Sequence, residues 1–346
     1  GYEIKKLRAN GTEERDLSAA ITPEAGSYYN ITLNYDPGYT IEDDGSYTVY
    51  TTDGLLAWND AAQIDLTLNC TLTADITLTG EWTPIGIDFY HQYTGTFDGG
   101  NHTISGLTVK GSDENAGLFG CIGDGGTVKN VVLKDVQIES DNQYGCVGGV
   151  AGNSDGNIEN CSVSGSVSGN SNSNGTYNSV GGVVGYQWGG SITGCSSSAT
   201  VKGTGGVGGV VGQTNSGAIL TACYATEDVT LESNNSDNYY AGGVVGSNSF
   251  STLIACYATG NVTGTGTGSG TIYVGGVTGD NALGALTACY HATGTVSGPT
   301  GTTGGVAGRN FKGSMSYGGI ITACFWGSNG QTQGIGEDQV GTGETT

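Results

Sequence analysis

The stretch SVGGVVGYQWGGSITGCSSSATVKG, Ser179–Gly203, decides the fold. Glycines stand beside valines suited to a sheet, and a cysteine follows where a core residue belongs. The stretch recurs along the chain. Complete copies of its glycine–valine block begin at Gly148, Gly181, Gly208, Gly242, Gly275 and Gly304, which are 33, 27, 34, 33 and 29 residues apart. A looser copy is Gly117-Leu118-Phe119-Gly120. Self-similarity at this period marks a solenoid or propeller. A phosphate loop occurs once, after a strand and before a helix. Repetition with no following helix and no GK[ST] therefore excludes a nucleotide site.

A second element follows each block, an aliphatic residue and, three positions on, Cys or another aliphatic. The pairs are Ile104/Leu107, Val128/Val131, Ile158/Cys161, Ile192/Cys195, Leu220/Cys223, Leu253/Cys256, Leu286/Cys289 and Ile321/Cys324. A further β-prone run often comes next, such as Val229-Thr230-Leu231. Each repeat thus reads as about three short strands joined by Gly/Ser/Asn turns. The predicted fold is all-β, a parallel β-helix (β-solenoid) of about seven to nine rungs. Each strand pairs with its copy roughly 4.8 Å away. Glycine suits such a coil in two ways, through close backbone approach and through positive φ at corners.

Composition agrees. The 346 residues include 66 Gly without a Gly-X-Y period, which excludes collagen. Ordered spacing of Val, Ile, Leu and Tyr argues against disorder. The net charge is -22, and Lys202 is the only Lys or Arg between Asp135 and Gly308. Such a surface repels phosphate backbones and anionic membranes, so no nucleic acid is expected as a partner. No segment is long and apolar enough to cross a membrane. The chain opens Gly1-Tyr2-Glu3 without Met or a visible signal peptide. A mature fragment is expected, with its targeting signal elsewhere.

Six of the 9 cysteines share the column position that Leu107 and Val131 fill in earlier repeats. A residue interchangeable with Leu and Val acts as a small buried hydrophobe. Parallel neighbours one rung apart project the same way, which suits a disulfide poorly. No CxxC pair or Cys/His cluster exists, so no metal and no cofactor are expected. Free buried thiols are the reading; Cys70, Cys121 and Cys146 lie off the column.

At these blocks the chain resembles the GLUG-motif proteins, named for a Gly-Leu-any-Gly core that Gly117–Gly120 fits literally. The stretch Leu55–Val109 resembles the opening segment of such β-helices, with Trp82-Thr83-Pro84-Ile85-Gly86 and Phe97-Asp98-Gly99-Gly100-Asn101-His102-Thr103-Ile104. The resemblance covers about residues 50–327. It implies a parallel solenoid in a bacterial surface or secreted protein, a group that includes adhesins and non-catalytic regions of immunoglobulin A peptidases. It carries over no catalytic residue, and HExxH is absent.

The expected organisation is an N-terminal β segment over 1–45, the solenoid over 46–327 and a tail over 328–346. Glu14–Gly38 reads as two strands around an Ala-Gly turn. It resembles the closing strands of fimbrillin-like adhesin domains, and the alternative is a cap over the open solenoid edge. Thr52–Ala62 is the helix candidate, a short cap with Thr52 or Asp53 as N-cap and Leu55, Leu56 and Trp58 inward. A sugar-binding role for Trp58 is the lesser alternative. Glu42-Asp43-Asp44 matches no calcium loop and reads as a solvated turn.

Parallel β-helices also host polysaccharide lyases and hydrolases, so the fold leaves catalysis open. Such sites need clustered carboxylates, or carboxylates with Arg or Lys, on one face. The acids Asp155, Glu159, Glu227, Asp228, Glu232, Asp237 and Asp280 are scattered. Arg309 and Lys312 show no acidic partner at the same repeat position. The residue after each column position should point outward, since strand side chains alternate. It is Thr108, Val132, Ser162 and Ser196, then Tyr224, Tyr257, Tyr290 and Phe325. This aromatic row is the candidate ligand-binding site, for a glycan or a host surface protein. The competing and favoured reading is a ladder that stabilises the stacking of rungs. The functional expectation is a non-enzymatic, monomeric cell-adhesion protein, extracellular or anchored at the outer membrane. A polysaccharide-active enzyme is the alternative, and a structural spacer the third.

Overall fold

The computed structural model describes residues 4–9, 13–22, 24, 26, 36–111, 114–142, 144–169, 178–233, 236–313, 318–327 and 331–340. The chain divides into two compact units, Gly1–Asp36 and Pro37–Thr346. The first holds an antiparallel pair, Ile4–Ala9 with Glu13–Ile21. The strand expected after the Ala25–Gly26 turn lies outside the described residues.

The second unit is a parallel β-solenoid. One turn shows the plan, with strands Ser179–Gly181, Val184–Gln187, Ser191–Thr193 and Ser196–Gly203. We call the stacked faces they belong to A, B, C and D; they hold 7, 8, 11 and 13 strands. A turn has four strands rather than three because each GGVVG block is itself a corner. It bends at Gly182–Val183, between faces A and B. Every ladder between turns is parallel, as in Val180↔Val207 and Leu220↔Leu253. The antiparallel hairpin Tyr39–Ile41/Tyr47–Val49 opens face C, ahead of the boundary expected at residue 45. Ile335–Asp338, within the expected tail, closes face B.

The block glycines serve close approach alone. None has positive φ. A Cβ on Gly181 would strike the Val184 carbonyl oxygen and lie 2.7 Å from the Gly212 amide nitrogen of the next turn. The left-handed corner is elsewhere, just before the column residue. Asn130 (φ 54°), Asn160, Gly194, Ala222, Ala255 (φ 52°), Ala288 and Ala323 occupy it in successive turns.

The interior is one continuous apolar core. Val207, Val210, Val211, Leu220, Cys223, Val229 and Leu231 are all buried within one turn. Each fully buried aliphatic contributes about 1.5–3 kcal/mol. Leu107 and the column residues from Val131 to Cys324 are buried, and all nine cysteines are free thiols. Cys223 Sγ donates to the Ile192 and Thr221 carbonyls at 3.4 Å. Contact with the Cys195 thiol and burial push Cys223 up to about 12. A thiol held there stays protonated and unreactive at neutral pH.

The first turn departs from the predicted register. Val128 pairs with Phe97, Val132 with Thr103 and Gln137 with Thr108. Phe97 rather than Ile104 therefore stands opposite Val128, and Leu107 falls opposite Val136 rather than Val131. Thr108 likewise leaves the outward row to Thr103. The cause is the corner Asp98–Asn101, where Gly100 and Asn101 both take positive φ in place of a single residue. The helix Thr52–Ala62 caps the interior near this turn. Its N-cap is Thr51, whose hydroxyl accepts from the Gly54 amide at 3.1 Å. Leu55 and Trp58 are fully buried, while Leu56 is exposed. Trp58 packs against Tyr93, Phe97 and Phe119, with centroids 5.0–6.5 Å apart, so it has no surface for a sugar.

A polar column that the sequence did not signal runs through the later turns. Thr214, Asn248, Asn281, Asn310 and Asp338 stand in register. Each link is a side-chain hydrogen bond of 3.0, 2.9, 3.1 and 3.2 Å in turn. Asn248, Asn281 and Asn310 are buried, and a ladder satisfies each amide with its neighbour.

Candidate functional site

Alternation along face D aims residue 223 inward and residue 224 outward, and the parallel register repeats this each turn. Tyr224 pairs with Tyr257, Tyr257 with Tyr290, and Tyr290 with Phe325. The ring centroids of Tyr224/Tyr257 and Tyr257/Tyr290 are both 4.9 Å apart, tilted by 4° and 3°. Tyr224 and Tyr257 are half-buried; Tyr290 and Phe325 are exposed at 38% and 59%. Ser162 and Ser196 precede the row in register. All four predicted residues thus share one outward row.

The stacking decides what the row can offer. Tyr257 is covered by a ring on each face, so the middle of the strip presents ring edges and hydroxyls rather than open faces. Burial and the adjacent Tyr224 and Tyr290 hold the Tyr257 phenol above its ordinary value. The Tyr257 phenol is therefore neutral at physiological pH. Such ring pairs contribute about 0.5–1.5 kcal/mol each beyond area burial.

Several of the acids have partners of their own. Glu232 pairs with Lys202 at 2.9 Å and Asp98 with Lys129 at 3.4 Å. Glu42 accepts from Thr40 and Thr48, and Asp44 from Ser46, within the first hairpin of the solenoid. Among the described residues no group of three or more His, Cys, Asp or Glu is arranged to hold a metal.

One expectation about charge is overturned. Arg309 does have an acidic partner at its repeat position, Asp280 on the preceding turn. Its Nε and Nη2 each donate to that carboxylate at 2.8 Å. Nη2 also donates to the Tyr240 hydroxyl at 3.1 Å. The guanidinium lies 4.6 Å from the Tyr273 ring centroid and 4.8 Å from that of Phe311. Burial works against the Arg309 charge, but the hydrogen bonds and charge of Asp280 prevail and hold it above its ordinary value. The partner was hidden by sequence distance, since 29 residues separate a pair that the rung repeat makes adjacent.

The comparisons with known proteins agree with this architecture. The GLUG motif matches residues 143–168, 176–202 and 237–263, each about one turn of the coil. Halomucin from Haloquadratum walsbyi is 36% identical over 107 residues, 31% of this chain and 1% of that protein. A protein from Evansella cellulosilytica, provisionally described as a Gly-rich membrane protein, is 37% identical over 83 residues. That match spans 24% of this chain and 10% of the relative. The chain therefore corresponds to a small part of either. A crystal structure from Bacteroides ovatus, provisionally assigned as an immunoglobulin A1 protease, superposes with a TM-score of 0.62 over 82% of this chain and 84% of its own. At 19% identity that likeness is one of fold alone. The chain is thus a β-solenoid carrying three copies of the GLUG motif.

Proposed function

We propose that this protein is a non-enzymatic repeat protein of the bacterial cell surface that holds a ligand along the outside of its solenoid. The observation that carries this reading is the outward strip Tyr224–Tyr257–Tyr290–Phe325, set at the rung spacing. Edge-on rings with hydroxyls suit a neutral glycan lying along the coil, because each hydroxyl both donates and accepts. The acidity of the chain and its GLUG repeats fit an extracellular setting, as does the description of the Evansella relative. No helix among the described residues is long and apolar enough to cross a membrane.

A glycan array followed by titration of the best binder tests the reading. Binding should be nearly independent of salt, since no charge takes part. Tyr257→Ala should weaken it about tenfold, and Ser196→Ala, at the matching position of an earlier turn, should leave it unchanged. No polysaccharide should be cleaved. Equal binding by the wild type and Tyr257→Ala would remove the strip as the site, and an array without hits would favour a spacer.

A further inference from the structure

Faces A and B meet at every GGVVG bend, and their outward side chains line one groove along the coil. On face A the row is Cys146, Ser179, Gly206, Tyr240, Tyr273. On face B it runs from Asn153 through Tyr186, Gln213, Ser247 and Asp280 to Arg309. Toward the C-terminal end the chain fills this groove with its own guanidinium. Arg309 sits bidentate on Asp280, against Tyr240, Tyr273 and Phe311.

Four turns earlier the same positions are built differently. Tyr186 stands in the register of Arg309, and Trp188 in that of Phe311. Face A carries only small residues there, where Tyr240 and Tyr273 stand later. The result is an open groove of about 680 Å³. Phe89, Tyr144, Tyr186 and Trp188 supply its aromatic surface, and Glu114 and Asp155 its charge. The Tyr186 and Trp188 rings are 5.7 Å apart, and Phe89, Tyr144 and Trp188 are about half exposed or more. Among the described residues no Lys, Arg or His pairs with Glu114 or Asp155. Burial and the neighbouring Asp124 raise the Asp155 carboxyl, a shift that a bound cation would reverse.

We propose that this groove binds an arginine side chain of a partner polypeptide, as the later part of the groove holds Arg309. The charge argues for a cation, since the two acidic side chains lining the groove, Glu114 and Asp155, have no basic residue beside them in that lining, in a chain of net charge -22. The aromatic surface argues for guanidinium over ammonium. A planar, weakly hydrated group stacks on rings and still offers a fork to a carboxylate. The site lies on faces A and B, apart from the tyrosine strip on face D, and stands or falls without it.

The test uses a labelled glycine–arginine peptide and its citrulline counterpart, which keeps the shape and loses the charge. Fluorescence anisotropy should show the arginine peptide binding, more weakly as salt rises. The citrulline peptide should bind at least about tenfold more weakly. Trp188→Ala and Asp155→Asn should each weaken the arginine peptide about tenfold, with melting temperature confirming that both fold. Glu139→Gln, an exposed acid on face D, and Tyr257→Ala should change nothing. Equal binding of the two peptides overturns the proposal. So does a Trp188→Ala or Asp155→Asn response no larger than that of Glu139→Gln, or displacement of the peptide by a glucosamine oligomer at lower concentration than by free arginine.

Discussion

The earlier and later turns of the solenoid share one backbone plan but are held together differently. In turns through Ser191–Thr193 the left-handed corner is Asn130, Asn160 and Gly194, and the outward position of face D is Val132, Ser162 and Ser196. From Ile219–Thr221 onward the corner is Ala in every turn, and the outward position is Tyr or Phe. The same turns carry the buried amide ladder and the Asp280–Arg309 pair. Early turns thus use residues that suit the local backbone. Late turns accept a strained corner and add contacts that exist only between rungs. Stability there is a nearest-neighbour property of stacked copies.

The largest test of that contrast is Arg309→Met. It keeps the aliphatic stem against Tyr240 and Tyr273 but leaves Asp280 buried without a cation. Removing one partner of a buried pair costs about 3–5 kcal/mol. Burial already pushes the Asp280 carboxyl up against the pull of Arg309. Without Arg309 it rises further. A carboxyl whose folded-state pKa lies above its unfolded value takes up a proton preferentially when folded. The loss should therefore be full at neutral pH and shrink as pH falls through the raised pKa toward the ordinary 3.8. Urea midpoints of both proteins at neutral and mildly acid pH measure this. A loss independent of pH would mean that Arg309 acts through packing alone.

The sequence made the late turns legible because their contacts lie at one repeat position. Cys223, Cys256, Cys289 and Cys324 mark the column, and the residues after them mark the aromatic row. The first turn was misread because Ile104 and Leu107 imitate the column spacing, while a two-residue corner at Gly100–Asn101 shifts the register. The left-handed alanines were invisible, since Ala ordinarily avoids positive φ. The amide ladder and Arg309–Asp280 were missed for another reason. Their residues vary in type from turn to turn, so no column of identical letters announces them. The groove beside Trp188 was hidden likewise, because its walls come from separate strands.

A smaller effect is expected from the tyrosine stack. Tyr257 touches a ring on both sides, whereas Tyr224 has a ring contact with Tyr257 alone among the described tyrosines of the row. Tyr257→Ala should lower stability by about 1–2 kcal/mol and Tyr224→Ala by about half as much. Thermal unfolding of the two variants separates them. Equal losses would show that the rings act through strand propensity or burial rather than through each other.

The smallest effect bears directly on the corner. Ala255 is exposed and sits at φ 52°, with its own Cβ crowding the backbone. A left-handed conformation costs an L-residue roughly 1–2 kcal/mol. Glycine escapes that cost but gives back about 0.5–1 kcal/mol in unfolded-chain entropy. Ala255→Gly should therefore raise stability slightly, by about 0.5–1 kcal/mol. Asn160→Ala makes the opposite change in an early turn. It removes a residue that tolerates this conformation and its 3.4 Å bond to Asn130, so it should lower stability by a similar amount. Denaturant midpoints for the two single variants and the wild type give both signs in one experiment. If Ala255→Gly were destabilising, the stacked alanine methyls would have to contribute more than the strain they impose. The late corners would then be favourable contacts rather than tolerated strain.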